Sequence, residues 1–558
     1  MKNRYIDLME KALNAYTDEH IHQYFNDVRA NGLTEHGFPR LTANIGILIA
    51  HGRRTDLLPI FLEMMEFCCK NIPTVRAAND FSVREIICCL WEIEQSGITS
   101  KEDTARWRSY LATIEPTTCY NRFAVTTADD VRNWALFTAV SEFFRQKAGI
   151  GYSSEFIDLQ IASQLKFLDE NGMYMDNEES EVHQPIMYDL VSRGLLSLLL
   201  HFGYQGRYYE QIDACLKKSA LLTLKMQSPN GEMAFGGRSN QFLHNEAWMA
   251  VIFEYEADRY ANEGNLELAK TFKSSITRAM NVTERWLSKK PVRHIKNRFP
   301  TETKYGCENY AYFDKYMITT ASNLYAAYLL CDDSIPTAES SDRTPSVFQT
   351  TDHFHKLFLK SGGYGLEFDI NADPHYDASG LGRVHRDGAP APICLSVPCS
   401  ADPLYILNLQ EPISCSLCPA IRKNGEWHFA TDTSVTYDVT ELSCDEGSAS
   451  ATVLCRFSEN ECVISKYTVN ADGVQIEVAG ENEIAYMLPA FYFDGEEYTD
   501  ITLNENCLTV SYNGWSCRYT TDGMISSLNK ITGNRNGYYK IFLTDKEKSI
   551  RIKIEILK

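Results

Sequence analysis

The sequence lacks any apolar stretch long enough to cross a lipid bilayer. Its longest apolar runs, residues 45–50 and 195–200, fall far short of the ~18 residues that a membrane-spanning helix needs. Charged residues interrupt the first ten positions, where a secretory signal needs an uninterrupted apolar segment. These absences predict a soluble protein without an export signal, and we expect a cytoplasmic location.

Positive charge is also scarce. The chain has 54 Lys and Arg against 74 Asp and Glu, so its formal net charge is −20. Proteins that bind nucleic acids neutralise phosphates with clustered Lys and Arg, so we expect neither nucleic acid nor a membrane as a partner. Hydrophobic residues make up 44% of the 558 positions, which is enough for a packed core and excludes a disordered chain.

Motifs for metal binding are missing as well. The sequence has no HExxH motif, and its one CxxC motif, at residues 415–418, has no second pair nearby. The 17 cysteines are odd in number and scattered, and two vicinal pairs stand in apolar helical segments. We therefore expect reduced, buried thiols and no metal or cofactor.

The hydrophobic period divides the chain into two parts. Up to about residue 330, apolar residues recur at helical spacing, with roughly a dozen helical segments. Residues 331–350 are rich in Ser, Asp, Thr and Pro. Beyond them, apolar and polar residues alternate with a period of two, in segments separated by Asn-Gly and Asp-Gly turns. Paired helices form either an α-solenoid or a closed toroid, and the lack of a fixed sequence repeat favours the toroid.

We therefore predict an α+β multidomain protein. An N-terminal (α/α) toroid of helical hairpins takes residues 1–335, a linker takes residues 336–350, and a C-terminal antiparallel β-sandwich takes residues 351–558. Nothing in the sequence fixes the number of subunits, and a homo-oligomer formed through sheet or toroid faces is compatible with it.

Residues 231–248 form the densest cluster of unusual polar side chains. A pair of glycines breaks the chain before a predicted helix whose first turn carries two amides, and an arginine lies beside them. Such an arrangement suits a carboxylate, because helix dipoles and a guanidinium both favour anions. The alternative is a capped helix start with the arginine paired to a structural acid. The residues are Gly236, Gly237, Arg238, Asn240 and Gln241, with Glu246 about a turn and a half further on.

Two other clusters combine tyrosines with carboxylates at predicted helix starts. Tyrosine faces suit stacking on sugar rings, and carboxylates suit proton transfer. Dipole compensation at an ordinary helix start is the alternative for both clusters. The first cluster holds His183, Tyr188 and Asp189, and the second holds Glu308, Tyr310 and Asp314.

A Gly-rich segment of the β-domain, residues 380–388, carries two arginines and a histidine. Arg383, His385 and Arg386 would reach across the domain junction and complete a cleft, which is a common location for ligand sites. A solvated hairpin explains the same residues equally well.

Four short motifs, in a fixed order along the chain, indicate a resemblance to known protein families. They are Asn133-Trp134-Ala135-Leu136-Phe137, Asp169-Glu170-Asn171-Gly172-Met173-Tyr174-Met175-Asp176, Tyr188-Asp189 and Phe235-Gly236-Gly237-Arg238-Ser239-Asn240-Gln241. The chain resembles bacterial carbohydrate-active proteins that join an (α/α) toroid to a β-sandwich. These include heparinase II/III-like polysaccharide lyases, a family with a similar "NNW … GRS" pattern, and the exo-β-glucuronidases of glycoside hydrolase family 154. The first motif of this chain departs from the "NNW" pattern, because Arg132 precedes Asn133-Trp134.

The resemblance implies action on uronic-acid-containing glycans, with the site in the toroid mouth that faces the β-domain. We expect a glycoside hydrolase that removes a terminal uronic acid, most simply β-glucuronic acid, from oligosaccharides. Its substrate carboxylate would be held by Arg238, Asn240 and the β-domain arginines, and two of the four acids would transfer protons. Those acids are Asp189, Glu246, Glu308 and Asp314.

Two alternatives remain open at this point. A lyase would use the same carboxylate clamp but abstract the C5 proton with His183 or a tyrosinate from Tyr188 or Tyr310. Related lyases usually rely on a Tyr/His pair. A non-catalytic glycan-binding protein would instead show an aromatic groove without convergent acids.

Overall fold

The computed structural model describes residues 1–151, 153–338 and 343–558. Its first part is helical, and the described residues contain these α-helices in chain order: α1 (Lys2–Leu13), α2 (Asp18–Asn31), α3 (Gly37–Ala50), α4 (Leu58–Asn71), α5 (Asn79–Ser96), α6 (Lys101–Leu111), α7 (Pro116–Cys119), α8 (Asn133–Lys147), α9 (Ser154–Leu165), α10 (Ile186–His201), α11 (Tyr209–Met226), α12 (His244–Asn262), α13 (Leu266–Leu287) and α14 (Phe313–Leu330). None of these helices combines the length and apolar character needed to span a membrane.

Six of the helices form a closed inner ring. In ring order they are α3, α5, α8, α10, α12 and α14, each contacts the next, and α14 returns to α3. Helix α3 is buried from Gly37 to Ile49, because it is apolar nearly all round, as a helix enclosed on every side must be. Helices α1, α4, α9, α11 and α13 pack outside this ring. The predicted (α/α) toroid is confirmed.

The second part of the chain is built of antiparallel strands. These are β1 (Ser346–Gln349), β2 (Lys356–Ser361), β3 (Tyr364–Asp369), β4 (Gly380–Arg386), β5 (Pro419–Lys423), β6 (Glu426–Phe429), β7 (Thr436–Cys444), β8 (Ala449–Ser458), β9 (Glu461–Asn470), β10 (Gly473–Phe493), β11 (Asp500–Asn504), β12 (Cys507–Tyr512), β13 (Trp515–Thr521), β14 (Met524–Asn534) and β15 (Gly537–Leu557). Strand β1 begins inside the predicted linker, of which residues 339–342 lie outside the described residues.

The strands form two sheets that pack face to face. Strands β1 to β4 make a four-stranded sheet, and the others make an eleven-stranded sheet centred on the 21-residue strands β10 and β15. Strands β2 and β3 lie against β8 and β9 of the larger sheet. Leu357 and Leu359 share one apolar core with Val453 and Val463, because alternate residues of a strand point to one face. The predicted β-sandwich is confirmed.

The sequence prediction for residues 380–386 was wrong in one respect. These residues are not a loop but strand β4, which pairs with β3 through Leu366 and Val384. Their side chains at Arg383 and His385 point into the junction with the toroid, where both are buried. Glycines at 380 and 382 suggested a loop, yet they are needed because Ser416 and Phe235 approach the backbone closely.

Candidate active site

A cavity of about 300 Å³ lies at one end of the toroid. We call it the inner chamber. Residues within the first two turns of all six ring helices line it, so the N-terminal ends of these helices converge there. The helix-borne lining residues include Arg40, Phe81, Asn133, Trp134, Tyr188, His244, Trp248, Lys315 and Tyr316. Helix N-termini carry partial positive charge, so their convergence favours a negatively charged ligand.

A second cavity of about 300 Å³ lies between the toroid mouth and the β-domain. We call it the outer chamber. It shares Asn133, Trp134, Tyr188 and Arg238 with the inner chamber, so the two form one continuous cleft. Loops of the β-domain contribute the remaining wall of the outer chamber through Asp373, His375, Tyr376 and Leu404.

Arg238 stands where the two chambers meet. Its guanidinium Nη2 lies 2.7 Å from Asp176 Oδ2, and its Cζ lies 4.5 Å from the centroid of the Tyr188 ring. About a third of the side chain, 35%, remains exposed to the cleft. Burial lowers the pKa of Arg238, but Tyr188 and Asp176 outweigh that effect and raise it above its ordinary value. The side chain is therefore a fixed cation facing the cleft.

The segment that carries Arg238 has an unusual backbone. Gly236, Gly237, Ser239 and Gln241 all have positive φ, a conformation that costs energy for residues other than glycine. A Cβ at Gly237 would lie 2.8 Å from Pro185 Cβ. The surrounding structure therefore holds this segment in a shape that it would not adopt alone.

Carboxylates from other parts of the chain hold that segment. The Gly237 amide donates to Asp377 Oδ2 at 2.8 Å, and the Ser239 amide donates to Glu308 Oε1 at 2.6 Å. Hydrogen bonds from backbone amides to carboxylates are short and strong. With Asp176 on Arg238, three acids fix the position of residues 237–239.

Two tyrosines meet at the Ser239 hydroxyl. Ser239 Oγ lies 3.0 Å from the Tyr188 hydroxyl and 3.0 Å from the Tyr310 hydroxyl. Burial, together with Tyr188 and Glu308, raises the pKa of Tyr310 well above its ordinary value. Tyr310 therefore keeps its proton at neutral pH, and a continuous hydrogen-bonded path joins the two phenols beside Arg238.

Two histidines of the inner chamber are uncharged at neutral pH. Burial, with Arg40 close by, lowers the pKa of His244 to about 3, and burial lowers the pKa of His36 as well. Both imidazoles are almost fully enclosed. They are polar walls of the chamber that add no charge to it.

The four predicted catalytic carboxylates lie outside both chambers. Asp189 accepts from Arg193 Nε at 2.8 Å, Glu246 from Lys296 Nζ at 2.5 Å, and Glu308 from Arg535 Nη2 at 2.8 Å. These three are buried, whereas Asp314 is partly exposed and pairs with His20 Nε2 at 2.8 Å. Three of the acids are therefore paired with an Arg or Lys, and the fourth is paired with a histidine.

The structure places the predicted binding residues Arg238, Tyr188 and Tyr310 in the cleft, together with His183, which was predicted as a catalytic base. The last of these lines the outer chamber. The other predicted binding residues do not line the cleft. Asn240 and Gln241 are buried and hydrogen-bonded to each other at 2.7 Å, and Arg383 pairs with Glu367 at 2.8 Å. His385 is hydrogen-bonded to Ser228 at 2.7 Å, and Arg386 donates to the Ile556 carbonyl. Helix α12 begins at His244, so the two amides precede it rather than forming its first turn.

Sequence reasoning missed several residues of the cleft. His36, Arg40, His244 and Lys315 were not singled out, although each lies within the first turn of an inner helix or directly before it. Asn133 and Trp134 gave only a weak signal. Polar and aromatic residues recur at the starts of alternate helices, and this pattern could have indicated the cleft. The reason is that the toroid brings the N-terminal ends of those helices together.

The comparisons with known proteins give structures but no sequence relatives. A scan against models of protein families finds no match, and a search of curated proteins finds none either. Similar solved structures include a heparan sulfate lyase HepC mutant from Pedobacter heparinus, with a TM-score of 0.48 at 8% identity over 93% of this chain and 76% of that one. Heparinase III has a TM-score of 0.39 at 8% identity, over 85% of this chain and 76% of that one. The baculovirus envelope protein ODV-E66, a chondroitin lyase, has a TM-score of 0.42 at 9% identity, over 92% of this chain and 76% of that one.

The predicted glycoside hydrolase was wrong. The similar structures given above are named as lyases, and none of them is named as a glycoside hydrolase. The positions of the acids agree with this correction. Hydrolysis needs two carboxylates on either side of the bond that is cleaved, and the four acids predicted for that role do not line the cleft. Three of them are held in ion pairs with Arg or Lys.

Proposed function

We propose that this protein is a lyase that cleaves uronic-acid-containing oligosaccharides by β-elimination. One observation carries the proposal: two tyrosine hydroxyls share the Ser239 hydroxyl at 3.0 Å each, beside the Arg238 guanidinium, in a cleft at the N-termini of six helices. Elimination needs an anion site for the carboxylate, a base and an acid. All three stand here within a few side chains of each other.

Arg238 supplies the anion site. A guanidinium next to the uronate carboxylate spreads the negative charge that develops when the C5 proton leaves, and this makes that C–H bond more acidic. The helix N-termini around the chamber act in the same direction. Because three carboxylates fix residues 237–239 before substrate arrives, the cation needs little reorganisation during the reaction.

Tyr188 and Tyr310 transfer the protons. The reaction requires a phenolate at Tyr188, which takes the C5 proton while the C4–O bond breaks and a C4–C5 double bond forms. Tyr310, which burial keeps protonated, gives its proton to the departing O4. Ser239 then passes the proton from Tyr188 to Tyr310, so the site returns to its starting state.

Further side chains hold the sugars on either side. Trp134 lines both chambers, and an aromatic face is a good platform for the apolar face of a sugar ring. His183 lies in the outer chamber, within the part of the cleft that the adjoining sugar would occupy. We assign it to substrate binding.

The test is to incubate the purified protein with uronic-acid-containing oligosaccharides and to follow two products together. Elimination creates a double bond conjugated to the carboxylate, so ultraviolet absorbance rises while no saturated uronic acid is released. We expect Tyr188→Phe and Tyr310→Phe each to lower kcat by about 10²–10⁴-fold, the usual contribution of a proton-transfer group. Tyr312→Phe is the matched control, because Tyr312 lies two positions from Tyr310 but outside the cleft.

Two results would contradict the proposal. Absorbance that grows at the normal rate in both tyrosine variants would remove these residues from the chemistry. Tight binding of the oligosaccharides without any product would indicate a glycan-binding protein.

A further inference from the structure

A group of aromatic rings lies on the surface of the β-sandwich, away from both chambers. The ring centroid of Tyr498 lies 5.1 Å from that of Tyr492 and 4.5 Å from that of Phe493. The Phe493 centroid in turn lies 5.8 Å from that of Tyr538. We call these four side chains the aromatic platform, and none of the four lines either chamber.

The platform exposes an aromatic ring to an unusual degree. Tyr310, at 41%, and Tyr498, at 67%, are the most exposed aromatic side chains in the described part of the chain. Tyr310 lines the cleft, whereas Tyr498 stands outside it. A single exposed apolar side chain needs no explanation, but Tyr498 is the outermost member of a contiguous group of rings.

The turn that presents Tyr498 is fixed against the toroid. Asp494 Oδ1 accepts hydrogen bonds from the amides of residues 496–497 at 2.8 and 2.7 Å, and its Oδ2 accepts one from the Tyr512 hydroxyl at 2.6 Å. The Arg298 amide of the toroid donates to the Asp494 carbonyl at 3.0 Å. Because its backbone is already held, Tyr498 loses little freedom when a ligand stacks on it.

One cation lies on the platform without a carboxylate partner. Lys540 Nζ lies 4.0 Å from the centroid of the Tyr492 ring, and no described carboxylate lies within ion-pair distance of it. The acids of the adjoining turn are all paired with Arg298, and they are Asp494, Glu496 and Glu497. Aromatic faces beside a free ammonium suit an acidic sugar, whose ring stacks while its carboxylate meets the cation.

The platform borders a loop that also forms part of the wall of the outer chamber. The Tyr538 hydroxyl donates to the Asn408 carbonyl at 3.5 Å, and Leu404 of the same loop lines the outer chamber. Four residues of chain span at most about 14 Å, so Asn408 and Leu404 are no further apart than that. A glycan that extends beyond the cleft past Leu404 therefore has the platform within its reach.

We propose that the aromatic platform is a second glycan-binding surface, which holds a uronic-acid-containing polysaccharide outside the cleft. Pyranose rings stack on Tyr498 and Tyr538, and the Lys540 ammonium binds a uronate carboxylate. The choice of ligand rests on the proposed function, although binding at the platform requires no cleavage. Two binding surfaces on one molecule raise the effective concentration of a long chain at each of them, so the platform favours long substrates over short ones.

The experiment compares a long unsulfated polymer of alternating glucuronic acid and N-acetylglucosamine with a hexasaccharide of the same repeat. Binding is measured by calorimetry in proteins that also carry Tyr188→Phe, and cleavage is measured by ultraviolet absorbance in proteins that retain Tyr188. We expect Tyr498→Ala to weaken polymer binding about three- to tenfold, the range for one aromatic contact, and to raise KM for the polymer by a similar factor. Hexasaccharide binding and both kcat values should stay unchanged.

Three further variants separate stacking from charge and from general surface effects. Tyr498→Phe keeps the ring and should keep most of the polymer affinity. Lys540→Gln should weaken polymer binding about two- to fivefold at low salt, as expected for one exposed charge, and should have little effect at about 0.5 M ionic strength. Met524→Ala is the matched control, because Met524 is a 58% exposed side chain of β14 outside the platform, and it should bind the polymer normally.

Three results would overturn the inference. They are normal polymer binding by Tyr498→Ala, an equal loss of affinity for polymer and hexasaccharide in that variant, and no polymer binding by any of the proteins. Sedimentation adds a fourth, since a wild-type dimer that dissociates in Tyr498→Ala would assign the platform to a second copy of this chain. If Tyr498→Ala loses polymer binding while no protein forms an unsaturated product, the platform is supported and the proposed lyase is refuted.

Discussion

Replacing Glu308 by Gln should destabilise the fold rather than remove a catalytic acid. The Glu308 carboxylate accepts two hydrogen bonds from Arg535, at 2.8 and 3.0 Å, and one from the Ser239 amide at 2.6 Å. Both partners of the ion pair are almost fully buried. Breaking a buried pair by neutralising one member costs about 3–5 kcal/mol, because the other charge is left buried without compensation.

Urea unfolding, followed by fluorescence and circular dichroism, measures this loss. We expect a free energy of unfolding about 3–5 kcal/mol below that of the wild type, and Glu302→Gln, an exposed neighbour, as an unchanged control. The double variant Glu308→Leu/Arg535→Met should recover most of the lost stability, because it removes both buried charges. A Glu308→Gln protein of normal stability but without activity would refute the structural role and return Glu308 to the reaction.

The remaining predictions concern backbone strain and acid stability. Gly237→Ala should lower the free energy of unfolding by about 1–3 kcal/mol and reduce the proposed lyase activity. The reason is that φ of residue 237 is +74° and that Pro185 blocks the Cβ of an alanine at this position. Unchanged activity would show that residues 237–239 tolerate movement. Burial lowers the pKa of His294 to about 4. As the pH falls, His294 therefore gains a proton near pH 6.5 in the unfolded chain but stays neutral in the folded chain. The free energy of unfolding then falls between pH 6.5 and 4 by up to about 3 kcal/mol. His294→Asn should reduce the loss of stability between pH 7 and pH 5 by about 2 kcal/mol in urea titrations, the part of the window that lies above pH 5. An equal pH dependence in both proteins would contradict the assignment.

The overall fold could be predicted because it depends on local periodicity. Helix α13 keeps one buried face over 22 residues, and from its third residue on β9 alternates buried positions with exposed or half-buried ones. Such patterns are visible in any short window of sequence. Strand β4 was mistaken for a loop, because its glycines serve close packing rather than a turn.

The cleft could be predicted only in part, because ionic partners are set by the tertiary fold. Glu308 and Arg535 are 227 positions apart, and Glu246 and Lys296 are 50 apart. No pattern of spacing reveals that such an acid is already neutralised. Tyr188 and Arg238 were found because they stand beside helix starts and a glycine pair, features that a local window contains.

Two carboxylates connect the segment that carries Arg238 to both domains. Glu308 belongs to the toroid but is held by Arg535 of the β-domain, and Asp377 of the β-domain holds the Gly237 amide. The positive-φ conformations of Gly237 and Ser239 are therefore stabilised by hydrogen bonds that depend on residues of both domains. Ser239, which contacts both Tyr188 and Tyr310, and Arg238, which faces the cleft, therefore belong to a segment that contacts from both parts of the chain hold in place. In the proposed lyase, these contacts would position the proton path and the anion site.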